Sequence, residues 1–267
     1  MLAFAGNSLL CRLALRQTGI DPGSFTTIRL LSGALVLWLL VVHRGGSARP
    51  MAGSWASALA LFAYAAGFSY AYVNLSAGTG ALLLFGAVQA TMISWGLWSG
   101  ERLALRQVAG LACALAGLAG LLLPGLSAPP VGGALLMLAA GVAWGVYSLR
   151  ARGGGDPTRV TAGNFVRCVP LALALGVATL PWATADLAGT AYAIASGAVA
   201  SGLGYAIWYM ALGGLNATRA ASVQLSVPVI AAIGGMLLLG EPLSLRLVLA
   251  SGAILGGIAL VIARRTV

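Results

Sequence analysis

A chain of 267 residues with 60% apolar and only 7% charged side chains lies far below the roughly 25% charged content of soluble domains, so a water-soluble fold is excluded. The net charge of +10 comes from arginine without lysine, and in so apolar a chain that excess reports orientation in a bilayer and headgroup contact, not nucleic-acid binding. Cys11, Cys113 and Cys168 stand in apolar runs without paired spacing, which fits small packing residues and neither a disulfide framework nor a metal site.

Ten apolar segments follow one another, at 1–16, 25–42, 54–75, 79–99, 103–123, 131–150, 159–180, 187–211, 217–239 and 244–263. A span needs about 20 apolar residues to cross roughly 30 Å of hydrocarbon. The connectors are short, so nearly all of the chain is predicted to lie in the membrane. The first segment is unusual, because Arg12 follows only eleven residues, a length that reaches about half of the hydrocarbon at ~1.5 Å per residue. It suggests a natural start further upstream. A cleaved signal peptide is the competing reading, and the lack of a basic stretch ahead of the apolar run speaks against it.

With a cytoplasmic N-terminus, the cytoplasmic connectors and tail carry Arg44, Arg49, Arg102, Arg106, Arg150, Arg152, Arg159, Arg219, Arg264 and Arg265. The opposite side carries Arg12, Arg16 and Arg246, while Arg29 and Arg167 fall inside spans. That asymmetry predicts both termini in the cytoplasm.

The stretch Gly100-Glu101-Arg102-Leu103-Ala104-Leu105-Arg106-Gln107-Val108 returns 140 positions later as Gly240-Glu241-Pro242-Leu243-Ser244-Leu245-Arg246-Leu247-Val248, and it contains both glutamates of the chain. At the same offset Ile93 meets Ile233, and Gly117 with Ala119 meets Gly257 with Ala259. Near the start of each half Asp21-Pro22 matches Asp156-Pro157, and Arg29 matches Arg167 after a small insertion. Each copy of the motif closes one apolar segment and opens the next, so the repeating unit is a group of spans. Five spans per unit is an odd number, and the second unit therefore inserts upside down. The expectation is an all-α membrane protein of ten transmembrane helices in two inverted five-helix repeats, residues 1–127 and 128–267. Pro228 stands where the first repeat has Val88, which predicts a bend in span nine only.

Ala217-Thr218-Arg219-Ala220-Ala221-Ser222, Pro228-Val229, Leu239-Gly240-Glu241-Pro242-Leu243 and Gly204-Tyr205-Ala206-Ile207-Trp208-Tyr209 resemble the EamA-type branch of the drug/metabolite transporter superfamily. The likeness covers nearly the whole chain, with two departures: the short first span and the missing proline at position 88. The resemblance implies export of amino acids or other small metabolites, and it does not name a substrate.

Polar side chains inside a bilayer are costly unless they face protein or a water-filled cavity. Asn7, Gln89, Asn164 and Gln224 are the amides at issue, as interhelical hydrogen-bond partners or as cavity lining. Tyr64, with Phe68, stands within span three. Trp144 with Tyr147 and Tyr205 with Trp208 are each spaced to project from one helical face, and rings with hydroxyl or indole donors suit an amphipathic solute. The substrate-binding candidates are Asn7, Tyr64, Gln89, Trp144, Tyr147, Tyr205, Trp208 and Gln224. Tyr70, Tyr72 and Tyr209 are expected in an interfacial belt. Arg29 and Arg167 are expected to snorkel to headgroups, a substrate carboxylate contact being the minority reading. Glu101 and Glu241 read as interfacial carboxylates that order a turn, in preference to proton carriers. Gly213-Gly214 is a candidate hinge.

An ATP-binding Gly-x-x-x-x-Gly-Lys loop is impossible without lysine. The sole histidine, His43, lies after span two, and no constellation for catalysis is present. No enzyme activity, cofactor or metal is expected. The leading expectation is a secondary transporter of the bacterial inner membrane that exports a small metabolite such as an amino acid or amine. Protons are the candidate coupling ion, and one chain, embedded in lipid, is the expected transport unit. A lipid-linked substrate flippase or passive facilitator is the alternative.

Overall fold

A computed structural model of the chain describes residues 1–45, 52–100, 102–125, 128–151, 155–212 and 223–262. All regular structure among them is helical. The helices are α1 (Leu2–Gln17), α2 (Pro22–His43), α3 (Trp55–Tyr72), α4 (Ala77–Trp98), α5 (Leu105–Leu122), α6 (Val131–Arg150) and α7 (Pro157–Thr179). Then α8 (Leu187–Ile194) continues through a π-helical stretch (Ala195–Leu203) into α9 (Gly204–Leu212), followed by α10 (Ser226–Leu239) and α11 (Leu245–Ile262).

Seven of these helical rods are long and apolar enough to cross a membrane: α2, α4, α5, α6, Pro157–Trp182, Leu187–Ala211 and α11. The ten apolar segments of the sequence therefore do not all meet that standard among the described residues. The first rod, α1, is 16 residues long and holds Arg12 and Arg16. In α3, tyrosines and small residues lower the mean hydropathy, and α10 has 14 residues.

The repeated sequence signals have local structural causes. Asp21 caps α2, accepting hydrogen bonds from the Gly23 and Ser24 amides, with Pro22 set in the first turn; Asp156 and Pro157 open α7 in the same way, through the Thr158 amide. Partial burial pushes the Asp21 carboxyl up, but hydrogen bonds from Ser24, Thr184 and Gly23 outweigh it and hold the group below its ordinary range. Gly100 and Gly240, the first residues of the two motif copies, both have positive φ, 92° and 63°. A residue with a Cβ would be strained there, and Gly240 ends α10 in the left-handed conformation.

The most extensive packing joins α5 to α11, α3 to α6, α2 to α7 and α4 to α6, with α4 also against α10. Gly110 and Gly257 bring α5 and α11 so close that a Cβ on either would meet the other's carbonyl oxygen. Many large apolar residues lie on the outer surface, among them Leu105, Leu115, Leu245 and Leu249. In a bilayer that surface faces hydrocarbon and carries no penalty. Within the buried core an aromatic cluster lies between α1, α3, α6, α7 and the α8–α9 rod.

Candidate functional site

Arg29 is the eighth residue of α2 and is 1% exposed. Its Nε donates to Ser201 Oγ at 3.2 Å, and its Nη2 donates to Tyr64 Oη at 3.2 Å and to Tyr205 Oη at 3.4 Å. The guanidinium carbon lies 5.3 Å from the Tyr64 ring centroid and 4.9 Å from that of Phe68, within cation–π range. Tyr205 donates to the Tyr64 oxygen at 3.2 Å, as does Asn7 Nδ2 at 3.2 Å, while Ser196 donates to Asn7 Oδ1 at 2.6 Å.

Rings close around this network. Trp144 lies 4.8 Å, centroid to centroid, from both Tyr64 and Tyr205. Phe4 lies 5.5 Å from Tyr205 and 5.9 Å from both Trp144 and Trp208, and Tyr147 stacks at a tilt 5.4 Å from Trp144. Such offset and edge-on pairs are favoured arrangements of the ring quadrupoles.

The π-helical stretch brings its serines to the network. Its i→i+5 bonding sets Ser196 and Ser201 on one side of the rod, where they reach Asn7 and Arg29. Glycine makes the approach possible. A Cβ on Gly197 would overlap the Arg29 carbonyl and the Ser32 hydroxyl, and a Cβ on Gly33 would meet Phe165 at 2.7 Å.

Of the sequence candidates, the structure brings Asn7, Tyr64, Trp144, Tyr147, Tyr205 and Trp208 into this one cluster. Tyr147 sits at its margin and accepts from Asn164 Nδ2 at 3.5 Å, while Asn164 Oδ1 accepts from the Ser54 amide. Gln89 and Gln224 are buried, and among the described residues Gln89 Nε2 and Gln224 Oε1 have no hydrogen-bond partner. Glu101 and the Gly213-Gly214 pair lie outside the described residues.

Three expectations are corrected. Arg29 does not snorkel: its head is enclosed by hydroxyls and rings, and it is the functional candidate that sequence reasoning underrated. Its partner in the repeat, Arg167, behaves differently, being partly exposed and donating to the carbonyls of Gly163 and Ala52. Tyr72 and Tyr209 are not in an interfacial belt. They are 0% and 7% exposed, and Tyr72 donates to the Ala77 carbonyl, because α4 and α6 cover what a lone helix would show to headgroups. Glu241, expected to order a turn, is 5% exposed and ties together three segments: Oε1 accepts from Arg12 Nε at 2.8 Å and lies 3.6 Å from Arg16 Nη1, while Oε2 accepts from the Ala77 amide at the start of α4.

Among the described residues no three His, Cys, Asp or Glu side chains converge as metal ligands. The central cluster combines donors, one cation and ring surface, which suits binding of a solute.

The sequence pattern of the EamA-like transporter family matches this chain twice, over residues 1–123 and 131–263. The chain is 62% identical over 265 residues to an uncharacterized protein of Pseudomonas aeruginosa, covering 99% of this chain and 92% of that one. It is 31% identical over 191 residues to a protein of Streptantibioticus cattleyicolor described as a probable terminal-alkyne amino-acid exporter, covering 69% and 63% of the two chains. A solved crystal structure shares the fold at a TM-score of 0.67 and 20% identity, over 97% of this chain and 96% of that one. With its apolar helices, the match makes the protein a multi-pass integral membrane transporter of small molecules and not an enzyme. The chain belongs to the EamA-like transporter family.

Proposed function

We propose that the protein is a secondary exporter of a small metabolite such as an amino acid or amine, working by alternating access between two inverted five-helix repeats, residues 1–127 and 128–267. In this reading ten helices cross the inner membrane of a bacterium, both termini are cytoplasmic, and protons supply the coupling. Pairing of α2 with α7, α4 with α10 and α5 with α11, each joining corresponding helices of the two halves, supports the repeat arrangement. The double family match supports it too. A pathway built from both halves of one chain makes the monomer the transport unit.

The observation that carries the reading is the buried network of Asn7, Arg29, Tyr64, Ser196 and Tyr205, assembled from both halves inside a ring of aromatic residues. Polar groups so placed are expensive in a membrane protein and are the natural lining of a solute path. Binding is assigned to Asn7, Tyr64, Trp144, Tyr147, Tyr205 and Trp208, with Gln89 and Gln224 as further lining in other states of the cycle.

Purified protein in liposomes, loaded with a panel of amino acids and amines with and without a pH gradient, tests this. Flux of at least one solute is expected, with its loss in Trp144→Ala and Tyr205→Ala while each variant still elutes as one folded species. Flux unchanged in both variants would place the path elsewhere. Movement of lipid-linked substrates alone would favour a flippase, and flux insensitive to any gradient a passive facilitator.

A further inference from the structure

We propose that Arg29 anchors a carboxylate of the transported solute, so that the site accepts carboxylic acids and rejects their amides and the corresponding simple amines. This rests on the exporter reading above and names the chemical class that its site selects.

The first observation is an uncompensated charge. Arg29 is buried, and no carboxylate among the described residues lies within ion-pair reach of it. The described acids are committed elsewhere: Glu241 to Arg12 and Arg16, and Asp21, Asp156 and Asp186 to backbone amides at helix starts. A buried guanidinium without an anion is strongly disfavoured, and cation–π contact with Tyr64 and Phe68 offsets only part of the loss.

The second observation is a surplus of donors. Nη1 of Arg29 is buried and has no acceptor among the described residues. The Tyr64 oxygen, with two lone pairs, is approached by donors on Asn7, Arg29 and Tyr205. A network that is donor-rich and cationic lacks a group that accepts hydrogen bonds and carries negative charge. A carboxylate supplies both, with about four lone-pair sites that match the guanidinium fork. The rings of Trp144 and Phe4 beside it offer apolar surface to the rest of the solute. A simple amine would bring a second cation and further donors to a site that has too many of both, and an amide would leave the charge unpaired.

The test compares, for the side chains of alanine, leucine, phenylalanine and glutamine, the amino acid, its amide, the deaminated acid and the decarboxylated amine, in proteoliposome flux and in thermal stabilisation of detergent-solubilised protein. At least one acid should be carried, with its amide and amine slower by about tenfold or more. Arg29→Gln should lose about thirtyfold or more in apparent affinity for that acid, and Arg29→Lys should recover part of it by keeping the charge without the fork. An amide or amine carried as fast as the acid would overturn the proposal while leaving the exporter reading intact. So would a folded Arg29→Gln protein whose acid flux stays within about twofold of the parent. Should Arg29→Gln fail to fold, wild-type selectivity and acid-specific thermal stabilisation decide the matter without it. A wild-type protein that carries none of the panel would instead overturn the exporter reading, and this inference with it.

Discussion

Glu241 shows how a single carboxylate can hold a membrane face together. Its two oxygens receive Arg12 from α1 and the first amide of α4, and Arg12 also donates to the carbonyls of Tyr72 and Val73 at the end of α3. Removing the negative charge leaves Arg12, 12% exposed, without its counter-ion. Glu241→Gln should therefore lower stability by about 2 kcal/mol, read as thermal unfolding in detergent. Flux per folded protein should keep its pH profile, and a flattened profile in well-folded protein would make Glu241 a proton carrier. Its place after a full apolar segment points to a structural part in a turn, whereas the tie to Arg12 and to the Ala77 amide has no signal in the sequence. The enclosure of Arg29 has none either, because an arginine inside an apolar run looks the same whether its head reaches water or stays enclosed. Arg167 is the eleventh residue of α7, further along its helix than Arg29, yet it meets a connector carbonyl because Gly53 packs against α7 at Val160 and Asn164. Neighbours, not depth along the helix, decide the outcome. The aromatic pairs were easier to read, since their spacing fixes a shared face whatever packs against it.

Apolarity marks the helices to within a few residues where both ends are described: the segment at 25–42 is α2, Pro22–His43, and the one at 187–211 is the α8–α9 rod, while the start of the segment at 217–239 lies outside the described residues. The π-helical stretch within that rod had no such signature, because it is as apolar as its flanks. Its run of small residues, Ala195-Ser196-Gly197-Ala198-Val199-Ala200-Ser201-Gly202, was the one available hint. Small size matters there because α2 touches the rod backbone to backbone at Gly33, Gly197 and Gly202. Gly197→Ala should push α2 and the rod apart, at a cost of about 1–3 kcal/mol, and draw Ser201 away from Arg29. Lower folded yield and weakened transport are the expected results. Gly252→Ala in α11 is the control: nothing lies within 4 Å of the added methyl group, and alanine favours a helix over glycine, so stability should hold or rise slightly. Equal behaviour of the two variants would refute the tight-approach account.

At the scale of the whole molecule, the connectors fall into two sets held by different contacts. Arg12 with Glu241, Asp21 with Thr184, Gly19 with Asp186 and Arg246 with Leu123 gather the connectors of one end. At Asp186, the amides of Gly19 and Gly189 hold the carboxyl below its ordinary range, so that link is ionised at neutral pH. Arg44 with Thr158, Arg150 with Ser54 and Gln107 with Val261 gather the other end. In the proposed orientation, which rests on the arginine bias of the sequence, the second set faces the cytoplasm. Ser99, after α4, and Ala183, before α8, are exposed and separated by α5, α6 and α7, each long and apolar enough to cross a membrane, and in the proposed topology three crossings put them on opposite sides. Cys113 is exposed whereas Cys11 and Cys168 are buried, so a Cys113→Ser background leaves an introduced cysteine as the reactive one. A membrane-impermeant maleimide applied to intact cells should modify Ala183→Cys, and should reach Ser99→Cys only after permeabilisation. The reverse pattern would turn the protein over in the membrane, and labelling of both from one side would rule out three crossings between them and the inverted repeat with them.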